Sequence, residues 1–207
     1  MKKREVYKIV LEIAKNIAKQ KKGAMFLITD KNSIKNHYNL LYTKLISGNY
    51  LSDPGCIKVI EKLATLDGAV IISPQGEILE YGARLKKAKI LYGFGTRHAT
   101  AVGITSSIKG STAIIVSEES NLIKIFRNGR LILEMDSQEK SKSMNEKIIS
   151  FLSEGDNALL AAAGASAAIL GSAAILNPAV TPVIIVGGSV YLALKTAGRL
   201  IKERKKE

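Results

Sequence analysis

Tryptophan is absent from this 207-residue chain, aromatic residues make up only 5% of it, and cysteine occurs once, at Cys56. A single cysteine excludes an internal disulfide framework and fits a reducing compartment. Cys56 falls in an expected helix, so it reads as a small core residue rather than a nucleophile. Histidine is nearly as scarce. His37 stands alone in a polar stretch with no cysteine or carboxylate at ligand spacing, and reads as surface. There is no zinc-binding spacing, no Gly-x-Ser-x-Gly elbow and no kinase motif set, which removes deaminase, hydrolase and kinase readings. No period repeats along the chain. No apolar run follows the N-terminus, so no secretory signal is expected, and the N-terminal part is expected to be cytosolic.

Acidic residues are also in short supply: 18 against 31 Lys and Arg, for a net charge of +13. Such a balance suits nucleic acid, an anionic membrane surface or a polyanionic small ligand. The charge is concentrated at the ends. Residues 2–22 hold eight Lys/Arg and two Glu, and residues 195–207 hold six and two. Between them, Ala158 to Leu194 carries no charge at all.

Hydrophobic content of 46% is ample for one core. Val6, Ile9, Val10, Ile13 and Ile17 recur at helical spacing and predict an amphipathic helix over 4–21, packed by one face. Its polar face is basic but lacks interleaved aromatics to stack bases, so no nucleic-acid partner is expected. Ala24–Thr29 reads as a buried strand and Tyr38–Ile46 as a helix. Asp53-Pro54 reads as a helix start, with Ile57, Val59, Ile60, Leu63 and Ala64 forming a broad apolar face. Ala69–Ser73 and Glu77–Tyr81 read as strands about a Pro74-Gln75-Gly76 turn. Thr96–Ile108 reads as a helix and Thr112–Ser117 as a strand. Leu122–Phe126 and Arg130–Glu134 flank Asn128-Gly129, a type I′ hairpin signal. A helix over 138–153 follows. Strands mixed with helices predict a mixed α+β or α/β fold, a mixed sheet covered by helices. The expected organisation is an N-terminal helix (1–22), a catalytic domain (23–137), a connecting helix (138–156), a hydrophobic helical hairpin (157–194) and a basic tail (195–207).

Three short stretches carry chemistry. Asp67-Gly68-Ala69 lies where a helix gives way to a strand. Asp-Gly is a common turn, but Gly68 also lets a ligand approach the backbone, and an Asp67 carboxylate can hold a divalent metal and take a proton from a ribose 3′-hydroxyl. Gly93-Phe94-Gly95-Thr96-Arg97-His98 is a glycine loop running into a helix. It is neither a dinucleotide fingerprint nor a Walker A motif. Its physics is that of an anion site: unpaired N–H groups at a helix N-terminus, a forked donor at Arg97 and a second donor at His98. Ser117-Glu118-Glu119 ends a buried strand, where open sheets place ligands. Adjacent residues of an extended chain face opposite ways, so one of the two glutamates is expected to reach a metal.

The order Asp-Gly-Ala, Gly-Thr-Arg-His, Ser-Glu-Glu resembles the diadenylate cyclase (DAC, or DisA_N) domain family over roughly residues 20–135. The likeness extends to Gly-Ala-Met-Phe-Leu-Ile from Gly23 and to Gly103-Ile104-Thr105. It implies an enzyme that condenses two ATP into cyclic di-AMP and two pyrophosphates, with a divalent cation, Mn²⁺ or Mg²⁺. It implies that Asp67 and Glu119 hold the metal and that Asp67 activates the hydroxyl. Gly68 and Ala69 would contact the nucleotide through backbone, and Leu85 would lie under the adenine. Gly95, Thr96, Arg97, His98 and Ser117 would hold phosphate. It also implies a homodimer or higher homo-oligomer whose sites meet face to face. The family pattern has a further arginine where this chain has Ala99, and Lys86, Lys87 and Lys89 are candidates to replace that cation. A second reading is a non-catalytic adenine-nucleotide sensor of the same fold. A third, a basic membrane adaptor, explains the chain ends but none of the motifs.

The uncharged block is expected to be a helical hairpin in the membrane, anchoring a cytoplasmic catalytic domain to the inner face. Ala158–Leu176 and Pro178–Leu194 give arms of 19 and 17 residues about Asn177-Pro178. Each arm reaches roughly 26–28 Å, against a bilayer core of about 30 Å. The basic tail follows the positive-inside rule, and Gly164, Ala168, Gly171, Gly187 and Gly188 allow close approach of the arms. A soluble oligomerising hairpin and a re-entrant one share this pattern, and cell fractionation with and without detergent separates them.

Overall fold

Strand β1 (Ala24–Ile28) is buried along its whole length, and that makes it the centre of the fold. Ala24, Phe26 and Ile28 join one apolar cluster, while Met25 and Leu27 join another on the opposite face. A strand buried on both faces needs a cover on each side. The computed structural model describes residues 1–43, 48–89, 95–138, 142–154, 183–186 and 189–192. Its other strands are β2 (Tyr38–Leu40), β3 (Ala69–Ile72), β4 (Ile78–Leu85), β5 (Thr112–Val116), β6 (Leu122–Arg127), β7 (Arg130–Asp136), β8 (Val183–Val186) and β9 (Ser189–Leu192). They form one mixed sheet in the order β2-β4-β3-β1-β5-β6-β7-β8-β9. The mixed sheet covered by helices is the class expected from the pattern of elements.

A four-residue helix α2 (Lys31–Ile34) follows β1, and the first face carries α1 (Lys3–Lys19), α3 (Cys56–Leu63) and α5 (Lys142–Glu154). In α1, Val6, Tyr7, Val10, Leu11, Ile13, Ala14, Ile17 and Ala18 are buried, a stripe at helical spacing facing the sheet. Ile148, Ile149, Phe151 and Leu152 of α5 share that core, so α5 packs as part of the domain's layer of helices. The second face carries α4 (Thr96–Ser107), whose Ala101, Val102 and Ile104 cover Met25, Leu27, Ile71 and Ile115.

A buried cation joins the first layer to the sheet. Arg127, 7% exposed at the end of β6, donates from Nε to the Thr112 hydroxyl at 3.2 Å and from Nη2 to the Leu152 carbonyl at 2.8 Å. The Thr112 hydroxyl also bonds the Tyr7 hydroxyl at 2.9 Å. The guanidinium lies 5.9 Å from the centre of the Phe151 ring. The last carbonyls of a helix carry partial negative charge, so a cation at the end of α5 is favourably placed.

Several expectations need correction. Residues 38–40 form an edge strand against β4, with Tyr38 opposite Leu85, where a helix was expected; pairing with the sheet overrides weak local periodicity. Residues 44–46 lie outside the described ones. Helix α3 begins at Cys56, not at Asp53-Pro54. The Asp53 carboxylate instead accepts the Tyr50 N–H at 2.8 Å in the preceding turn, and Gly55 takes a left-handed φ of 77°. The apolar face of α3 is narrower than expected: Cys56, Ile60 and Ala64 are buried, while Ile57 and Val59 stay exposed. Cys56 is a core residue, and burial, then the Asp53 carboxylate, raises its thiol pKa and keeps it inert. Strand β4 outruns its expected end at Tyr81 by reaching Leu85. Asn128 and Gly129 have φ of 52° and 71°, as the type I′ turn demands.

Most of the expected hairpin over 157–194 lies outside the described residues. Where residues are described, they are strands: β8 pairs with β7 through Glu134–Ile184, and with β9 through Val183–Leu192. Val183-Ile184-Ile185-Val186 is an unbroken β-branched run, which favours strand over helix. Among the described residues no helix is long and apolar enough to cross a membrane.

Replacing Arg127 with Leu removes the side-chain donor of the Leu152 carbonyl inside the core and leaves the Thr112 hydroxyl with Tyr7 alone. We expect a loss of about 2–3 kcal/mol of unfolding free energy, read from the urea midpoint. Arg127→Lys, which keeps the charge but not the fork, is expected to fall between the two.

Candidate functional site

The strand registers bring the separated motifs together. Strand β1 runs parallel to β3 with Phe26 opposite Val70, and antiparallel to β5 with Ala24 opposite Val116. Continued one residue before Ala24, these registers set Gly23 level with both Asp67 and Ser117. Strand β4 runs antiparallel to β3 with Ala69 opposite Ala83, and the same continuation sets Leu85 level with Asp67. The Asp-Gly turn, the Ser-Glu-Glu stretch and Leu85 therefore share one edge of the sheet. Ala69, Leu85 and Ile115 belong to the cluster under α4, so this is the edge of the α4 face.

Helix α4 delivers the third motif to the same place. Gly95 is its N-cap, and its carbonyl accepts the N–H groups of His98 at 3.1 Å and Ala99 at 3.2 Å. The first N–H groups of a helix lack internal partners, which makes Thr96 and Arg97 donors toward the edge. The Arg97 guanidinium lies directly on the start of β1: a Cβ at Gly23 would stand 2.1 Å from its Nη1. Gly23 is thus the space in which Arg97 sits. Gly93 and Phe94 lie outside the described residues.

His98 is half-buried. Its ring meets Phe126 edge-on, with centres 5.9 Å apart and planes at 79°. Burial, then the positive charges of Lys124 and Arg97, pushes its pKa down to about 4. At neutral pH it is an uncharged imidazole, able to offer one N–H and one lone pair.

The carboxylates are more open. Asp67 is exposed in the bend before β3. Gly68 has φ of 92°, and a Cβ there would stand 2.5 Å from the Gly82 carbonyl carbon, so glycine is required where the bend crosses β4. Glu118 and Glu119 lie in a turn over 118–120, both exposed, rather than in extended chain. In a turn the two side chains do not alternate as they would along a strand. Ser117 is half-buried, and its hydroxyl is 3.4 Å from the Ser120 N–H. Among the described residues no three His, Cys, Asp or Glu side chains gather as a metal cage. A cation at this edge would take its remaining ligands from a bound molecule or from water.

The exposed lysines suggested as replacements for the cation missing at Ala99 lie close by. The Lys89 N–H donates to the Ala99 carbonyl at 2.8 Å, which holds the 86–89 stretch along the first turn of α4. Gly23, Phe126 and Lys124 were not identified as site residues from sequence. Gly23 stood inside a recognised run, but nothing local marks it as the seat of an arginine. Phe126 and Lys124 come from a strand pair whose alternation signals only sheet.

Donors for an anion beside three exposed carboxylates, at one edge of a mixed sheet, define an α/β domain suited to a phosphate-bearing ligand and its cation. The family model described as DisA bacterial checkpoint controller nucleotide-binding (DAC) matches residues 12–131, more than half of the chain, and the chain belongs to that family. It is 30% identical over 142 residues to a diadenylate cyclase of Haloferax volcanii, covering 65% of this chain and 52% of that one. It is 25% identical over 139 residues to a diadenylate cyclase of Methanocaldococcus jannaschii, covering 64% and 45%. The chain spans about half the length of these curated relatives. Among solved structures, a double mutant of DacA from Staphylococcus aureus is 22% identical with a TM-score of 0.48, covering 73% of this chain and 97% of that one. A hypothetical membrane spanning protein from Bacillus cereus is 20% identical with a TM-score of 0.49, covering 59% and 60%.

Two outcomes follow from this geometry. Gly23→Ala displaces only the far end of a flexible side chain, so the urea midpoint is expected to stay near that of the wild type. The displaced guanidinium is expected to weaken ATP binding roughly tenfold, the equivalent of one charge-assisted hydrogen bond, measured by calorimetry. The His98 pKa is lowered in the folded state, so the unfolded chain takes up its proton first as the pH falls. The resulting stability is whole above about pH 6.5 and is lost between there and pH 4, with a ceiling of about 3 kcal/mol. Urea midpoints at pH 7 and 4.5 are expected to converge in His98→Gln relative to the wild type.

Proposed function

We propose that this chain is a diadenylate cyclase, joining two ATP molecules into cyclic di-AMP with release of two pyrophosphates. The supporting observation is the convergence of Asp67, Arg97, His98 and Ser117 on one sheet edge from three separate parts of the sequence. The names of the two archaeal relatives agree with this reading.

In each of two steps, a ribose 3′-oxygen attacks the α-phosphorus of the facing nucleotide, a new P–O bond forms, and the bond to pyrophosphate breaks. The 3′-hydroxyl proton passes to the Asp67 carboxylate. Arg97 and the first N–H groups of α4, those of Thr96 among them, draw in the phosphate chain and stabilise the charge that builds on it. His98, neutral, donates a hydrogen bond rather than a charge. The Ser117 hydroxyl supports the phosphate from the β5 side. Gly68 and Ala69 bring backbone against the nucleotide, and Leu85 offers an apolar floor for the base. A divalent cation, Mg²⁺ or Mn²⁺, would be held by the hard oxygen donors of Asp67 and Glu119 and would neutralise triphosphate charge. One chain offers one site and the reaction joins two nucleotides, so two chains must set their edges face to face. Positioning supplies most of the catalysis in such a transfer.

The deciding experiment is incubation with ATP and Mn²⁺ or Mg²⁺, followed by mass identification of the product over a dilution series. Cyclic di-AMP is expected, with the rate per chain falling on dilution. ATP that binds but is never converted would leave the sensor reading instead. Asp67→Asn is expected to lower the rate by about 10²–10⁴-fold with the fold intact; product formation at the wild-type rate would remove Asp67 from the mechanism.

A further inference from the structure

We propose that Lys124 is a further substrate-binding residue, a second cation for the phosphate chain that Glu134 holds in place until nucleotide arrives. The proposal rests on the nucleotide reading above and extends it to a residue outside all three motifs.

The placement comes from strand register. In β6, Ile123 and Ile125 turn toward the cluster under α1, so Lys124 between them turns toward α4. Its neighbours across the sheet are Ile115 of β5 and Glu134 of β7. Two residues further along β6 is Phe126, on which the His98 ring rests. Two residues the other way is Leu122, whose carbonyl accepts the Ser117 N–H at 2.9 Å. Lys124 therefore stands between the support of His98 and the strand end that presents Ser117, inside the span where the phosphates are expected. Its charge reaches the His98 ring, as that of Arg97 does.

Its chemistry fits a ligand better than a fixed structural pair. The Lys124 Nζ is 3.7 Å from the Glu134 Oε2, with side chains 13% and 21% exposed. Tight charge-assisted hydrogen bonds run at about 2.7–2.9 Å, so this pair is loosely held. An ammonium on a flexible four-carbon stem can swing to a nearby triphosphate, which carries more charge than one carboxylate. A mostly covered lysine is also poorly hydrated, so little water has to be removed when phosphate arrives.

The test measures ATP affinity by calorimetry, and stability by urea unfolding, for the full chain and for Lys124→Met and Glu134→Gln. Lys124→Met is expected to weaken ATP binding about tenfold. Glu134→Gln, which removes the carboxylate charge that competes with phosphate for the ammonium, is expected to bind ATP as tightly as wild type or more so. Wild-type affinity in Lys124→Met overturns the proposal. So does an equal loss of affinity in both variants, which marks a cross-strand pair that only stabilises the sheet. Should Lys124→Met fail to fold, Glu134→Gln decides alone: weaker binding than wild type overturns the proposal, and equal or tighter binding sustains it. A wild-type chain that binds no ATP removes the nucleotide reading itself.

Discussion

The pairing of β1 with two unlike neighbours is the constraint on which the site depends. Parallel pairing with β3 sends the start of that strand to the start of β1, and antiparallel pairing with β5 sends its end to the same level. Side chains alternate across a sheet, so a slip of one residue would turn Gly23 to the α1 face and leave Arg97 against the side chain of its neighbour. The alternation of apolar residues on both faces of β1 forbids that slip, because it would exchange the two cores. Hydrophobic packing along Ala24–Ile28 thereby fixes the position of an arginine on a different element more than seventy residues away in sequence.

Charge is sorted within this frame. The carboxylates of Asp67, Glu118 and Glu119 are exposed. His98 is denied a charge by burial and by its cationic neighbours Lys124 and Arg97. Arg127, a buried cation, sits at the far end of β6 and is engaged with a hydroxyl and a helix carbonyl. The large positive net charge of the chain is therefore not what makes the site. Two or three well-placed groups do that, and most of the Lys and Arg of α1 face solvent on the other side of the sheet.

What the sequence disclosed follows the kind of signal each element carries. The stripe of α1, the Asn128-Gly129 turn and the buried runs of β1, β3 and β5 depend on local pattern, and they were legible. Residues 38–40 become strand only because β4 offers an edge. The start of α3 moves because Asp53 bonds Tyr50, and neither contact has a local signature. The three motifs were readable as chemistry because glycine, arginine and carboxylate at turns have few other uses together. The supporting residues were not. Gly23 matters only because Arg97 lies on it, and Lys124 only because β6 runs beside β5 in this register. The β-branched run at Val183–Val186 was legible in hindsight: it argued for strand inside a block read as helix for its length and lack of charge.

The Arg127 clamp has a mechanical consequence. It ties the last turn of α5 to the end of β6 farthest from Ser117, on the face of the sheet opposite α4. Helix α5 ends at Glu154, two residues past the clamped carbonyl. A load applied at the end of α5 meets the Arg127 contacts with Leu152 and Thr112 before it reaches the rest of the sheet. Asp67, Arg97 and Ser117 gather at the opposite ends of the strands, away from that contact.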